Sequence, residues 1–139
     1  METGSRTLNY VGFLLIFVFG AICGAHGASE PAIIITNLPA YGSSANLGGT
    51  VADASPSKYA VAVFIYIPGT GWWSKPTCPG QPLTPIEADG AWVTDITTGG
   101  LDQQATRIAA LLVGTNYNQP CVLGEAVLSS NIYTQTKHT

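Results

Sequence analysis

The stretch KYAVAVFIYIP, residues 58 to 68, decides the fold. From Tyr59 to Ile67 every residue is apolar or aromatic, and most are β-branched or aromatic, the composition that suits a pleated strand. On a strand, alternate residues face opposite ways. One face then carries Tyr59, Val61, Val63, Ile65 and Ile67, and the other Ala60, Ala62, Phe64 and Tyr66. Both sets are apolar, so this strand is expected to be covered on two sides, at the centre of a sheet or in a protein interface.

Working outward, the chain reads as a series of short strands parted by turn signals. PAIIITNLPAYG opens with a β-branched run closed by a proline turn. ANLGGTVA is a second strand, whose paired glycines signal a bulge or a close backbone approach. Asp89-Gly90 marks a tight turn before the returning strand AWVTDI. TRIAALLVG is apolar on both alternating sets, although Ala and Leu also suit a helix. CVLGEAVL closes the domain, at residues 28–128, and SSNIYTQTKHT (129–139) reads as a polar tail. The pattern predicts an all-β chain, a single immunoglobulin-like antiparallel β-sandwich of about seven strands.

Residues 1–27 carry the marks of a signal peptide. Arg6 supplies a positive start, VGFLLIFVFGAIC an apolar run, and Ala25 and Gly27 the small residues before a cut at Ala28. A retained membrane anchor would need about 20 apolar residues, and this run is shorter. The protein is therefore expected to be secreted, with no membrane attachment after cleavage. The net charge of −3 survives cleavage, because Glu2 and Arg6 leave together. With so few basic residues, nucleic acid is excluded as a partner class, and anionic membrane surfaces with it.

Cleavage also removes Cys23 and leaves Cys78 and Cys121. In an oxidising compartment a lone pair is most simply one disulfide. It would tie the segment after the two tryptophans to the turn NYNQPC. N-linked glycans are not expected, as no Asn-x-Ser/Thr triplet occurs, whereas the Ser/Thr-rich connections allow O-glycosylation.

The motifs PAYGSSANLGGTV, YAVAVFIYI, GWWSKP, ADGAWVTDITTGGLDQQATRIAALLV and YNQP, taken in this order, resemble a recurrent secreted domain of microbial proteins. The family pattern runs PYGS, WWxKP, DGxW, DITTGGxD and ATxI, and the resemblance spans roughly residues 32 to 120. It implies an immunoglobulin-like sandwich of the kind that accompanies extracellular surface or carbohydrate-active proteins, with Trp92 in the core. It carries over no catalytic residues. The cysteines depart from the pattern, and the domain is expected to stand without an attached enzyme.

The catalytic inventory is thin. His26 leaves with the signal and His138 lies one residue from the end, so no imidazole is positioned for a triad. Metal-ligand spacings are absent, and no cofactor is expected. Glu87 and Asp89 read as turn-flanking residues. Asp95 and Asp102 flank ITTGGL, where either would accept backbone N–H bonds or pair with Arg107. The expectation is a non-enzyme.

Two functions remain. A structural or adhesive subunit would associate with itself, into an extracellular filament, by adding the short apolar strand Ala32, Ile33, Ile34, Ile35 and Thr36 to a neighbour's sheet. A carbohydrate-binding module would stack extracellular glycans on Trp72, Trp73, Tyr41 and Tyr117, with Lys75, Asn116 and Asn118 fixing hydroxyls. GWWSKPTC is expected to be a stiff loop after the central strand, with one indole buried and the other at least partly exposed, as the candidate for contact. Self-association leads, because only 9% of the chain is charged and 46% is hydrophobic.

Overall fold

The computed structural model of the chain describes residues 27, 29–80, 83–130 and 132. All of the expected signal peptide but Gly27, and the last residues of the tail, fall outside them. The fold is all-β and antiparallel, with eight strands among the described residues against the seven or so expected: β1 (Ala32–Asn37), β2 (Leu47–Ala52), β3 (Tyr59–Ile67), β4 (Gly71–Lys75), β5 (Leu83–Thr84), β6 (Ala91–Thr94), β7 (Arg107–Gly114) and β8 (Leu123–Glu125). A single 3-10 turn, Asp102–Gln104, precedes β7.

Two sheets face each other. One has the order β1-β2-β6, and the other is built around β3. β7 runs along one edge of β3, pairing from Tyr59↔Gly114 to Tyr66↔Arg107. The opposite edge of β3 is shared by β5 at its start and β4 at its end, and β8 adds outside β4. The β3–β4 hairpin is closed by Thr70 N–H donating to Ile67 O at 3.1 Å. Gly71 lies in the left-handed region at φ +99°, where a side chain would also strike the Gly124 and Glu125 carbonyls at 2.6 Å. Residues 71–75 are thus a strand, correcting the loop expected for GWWSKPTC. The prolines and glycines on either side hide a five-residue strand from sequence reading.

As its two apolar sets required, β3 is covered twice. Its inward set, Val61, Val63, Ile65 and Ile67, packs with Leu47, Val51, Ile86, Trp92, Ile96 and Leu112 between the sheets. Its outward set, Ala62 and Phe64, packs with Leu111, Val113, Val122, Leu128 and Ile132. The second core is roofed by the chain after β7, and it continues into the segment expected to be a polar tail: Ile132 is only 2% exposed. Two features hold that roof. The Cys78–Cys121 disulfide joins it to the segment after β4, with Cα atoms 5.6 Å apart. Beside it the buried Ser74 hydroxyl donates to Pro120 O at 3.0 Å and accepts from Val122 N–H at 2.9 Å.

Other local expectations stand. Asp89-Gly90 forms the turn into β6, with Asp89 Oδ1 accepting from Ala91 N–H at 3.0 Å and Gly90 at φ +86°. Gly49 allows a close approach: a Cβ there would sit 2.1 Å from Ile34 O and 2.6 Å from the Trp92 ring. Trp92 is 1% exposed. Between the sheets, the buried Thr84 and Thr94 hydroxyls bond to each other at 2.6 Å.

Candidate functional site

Two features of the surface call for a functional account: a cleft at one end of the sandwich and a seam along one side.

The cleft begins with the alternation of β4. Trp73 and Lys75 point inward, opposite Ile65 and Val63, whereas Trp72 points outward toward the second core. Both indoles are half-buried, so a partly exposed ring is present as expected, but neither is fully buried. Each face of this sheet has its own cover, and each cover takes one ring. Trp72 lies 5.4 Å from the Tyr66 ring, over which Arg107 stacks at 5.1 Å. Trp73 donates its indole N–H to Thr70 Oγ1 at 3.1 Å.

Lys75 reaches the loop that closes the end of the sandwich. Its ammonium donates to Asp102 Oδ2 and, at 3.0 Å, to Thr98 Oγ1. Asp102 Oδ2 also accepts from Gly99 N–H at 3.0 Å. Both side chains are buried, at 7% and 8% exposure. The partner of Asp102 is therefore Lys75, not Arg107, and Asp95 makes a turn by accepting from Thr97 N–H at 2.9 Å. Thr70, Trp73, Thr98 and Leu101 wall a cleft of about 360 Å³ above this pair. With its carboxylate already neutralised, the cleft can hold a small amphipathic group but offers no free base. Among the described residues no group of three or more His, Cys, Asp or Glu is placed to hold a metal.

The other expected glycan-contact residues do not join Trp73. Tyr41, 72% exposed, stands beside Ile35 and Ile108. Asn116, Tyr117 and Asn118 line a third cleft with Ser129 and Ile132. Burial raises the Tyr117 phenol above the ordinary tyrosine pKa. Lys75 is fully engaged by its ion pair. Sequence reading missed Thr70, Thr98 and Leu101, because threonine and leucine in loops carry no distinctive signal.

The seam forms where β1 and β7 come side by side. β1 pairs only with β2, within its own chain, and β7 only with β3. Among the described residues neither strand pairs along its other edge. Ile33, Ile34 and Ile35 face the stretch Ile108–Leu111 across an apolar groove, which meets the cleft holding Tyr41 at Ile35 and Ile108. Ile34 is 55% and Leu38 65% exposed. No residue of β1, β2 or β6 is charged.

No protein-family model, no curated protein and no solved structure matches this chain.

Proposed function

We propose that this chain is a secreted, non-catalytic structural or adhesive subunit that associates with copies of itself through the β1–β7 side of its sandwich. The observation that carries this reading is the meeting of two unpaired strand edges in an apolar seam. An open edge is a template for another strand, and folded proteins usually guard it with charges, prolines or bulges. Here the guard is weak. β1 has a register shift between Ile35 and Asn37, but no charge and no proline. Exposed isoleucines beside such an edge are the chemistry of an interface.

Secretion is supported by the disulfide, which persists in oxidising compartments. No helix among the described residues is long and apolar enough to cross a membrane. Glycan binding by the loop aromatics has less support, because its candidate residues are dispersed over separate clefts. Growth into a filament would need a head-to-tail contact, or two different symmetric ones, that does not close on itself.

Sedimentation velocity on the processed protein, over a wide concentration range, tests the proposal. Dimers or larger species that grow with concentration are expected. A clean monomer at the highest concentration overturns it.

A further inference from the structure

We infer that the strand pairing with β1 is β1 of a second copy, antiparallel across a two-fold axis with Ile34 opposite Ile34. This rests on the self-association reading and specifies its geometry. At a two-fold axis each residue meets its own kind or a close neighbour in sequence, so any charge would face a like charge. From Pro31 to Ala52 the chain has no charged residue at all. Such a strand can meet itself without repulsion.

The register follows from backbone chemistry. Residues directly opposite in an antiparallel pair share a face, so Ile34 meets Ile34 outside while Ile33 meets Ile35 over the seam. Moving the axis to Ile33 would bring Pro31, which has no N–H, into the ladder opposite Ile35. Moving it to Ile35 would centre the pairing on the register shift between Ile35 and Asn37. Only the axis at Ile34 keeps both irregularities at the ends. The two three-stranded sheets would then fuse in the order β6-β2-β1-β1-β2-β6. The rest of the seam, including Ile108, would be covered by the same contact. β7 is the less suitable self-partner because its first residue is Arg107.

Ile34→Cys tests the geometry on the processed protein with its native disulfide intact. Facing residues of an antiparallel pair have Cα atoms about 4.5–5.5 Å apart, within the span of a disulfide. Mild oxidation should therefore give a covalent dimer. Val93→Cys, 61% exposed on β6 at the opposite edge of the same sheet, should not. Ile34→Lys should weaken association at least about tenfold, leaving a folded monomer by circular dichroism. Oligomers that resist cross-linking through Ile34→Cys overturn the two-fold pairing while leaving self-association standing. If mixed Ile34→Cys and Ala109→Cys proteins cross-link to each other instead, the pairing is head-to-tail, β1 on β7. A monomer at every concentration overturns both readings.

Discussion

Lys75 and Asp102, 27 residues apart in sequence, meet as a buried ion pair that joins the end of β4 to the loop before β7. Two motifs that look independent along the chain, GWWSKP and DITTGGLD, are thus one structural unit. Its members depend on each other because neither charge has water to fall back on. Removing one partner of such a pair costs about 3–5 kcal/mol, whereas replacing both with apolar residues is often close to neutral. Lys75→Met and Asp102→Leu should each lower stability by that amount in chemical denaturation. The double variant should recover most of the loss. Additive single effects would mean the charges are not coupled.

Gly49 supports β1 by having no side chain. A methyl group there meets the Ile34 carbonyl and the Trp92 ring, and the backbone oxygen cannot step aside. Gly49→Ala should cost about 3 kcal/mol, the upper end for overpacking. The loss should be concentrated at β1. Hydrogen exchange should show β1 amides losing protection while those in β3 and β7 keep theirs.

Reducing the disulfide, or replacing Cys78 and Cys121 with serine, frees a closed loop with ends 43 residues apart. Chain entropy puts the cost at about 4 kcal/mol. The roof of the second core should open first, since the disulfide lies beside it. Limited proteolysis after reduction should cut within residues 115–130 before it cuts β2 or β6. Equal loss everywhere would argue that the two cores melt as one.

Partial burial raises the pKa of the Tyr117 phenol. The sign of the effect on stability follows from proton binding. Below the ordinary tyrosine pKa, about 10, folded and unfolded chains are both protonated and the group is silent. As pH rises further, the unfolded chain ionises first, and stability falls until the folded phenol also ionises. Thermal denaturation should therefore show Tyr117→Phe losing less stability than the wild type as pH rises above the ordinary tyrosine pKa.

Much of the fold is legible in the sequence where the signal is local. The doubly apolar run of β3, the turn at Asp89-Gly90 and the cysteine pair each contain their own evidence. The close approach at Gly49 was likewise readable from the glycine pair in β2. What sequence reading missed depends on distance. The choice of Lys75 over Arg107 as the partner of Asp102 is made by the β3–β4 pairing, which no local pattern announces. Ile132 stands within the polar stretch SSNIYTQTKHT, so neither periodicity nor composition marks it as part of a core. β4 was hidden because its flanking prolines and glycines have the look of a loop.

The double covering of β3 changes what fixes its alignment. In a strand with one wet face, a slip by one residue is forbidden because it drives polar groups inward. β3 has no such safeguard, since both of its sets are apolar. Its alignment must instead be encoded in shape. The set facing the other sheet is branched and of middling size, Val61, Val63, Ile65 and Ile67, while the other set runs from small to bulky, Ala60 and Ala62 and then Phe64 and Tyr66. A slip by one residue would press Phe64 into a space cut for valine or isoleucine and leave Ala62 where a valine belongs. Steric fit, rather than aversion to water, tells this strand which way to face.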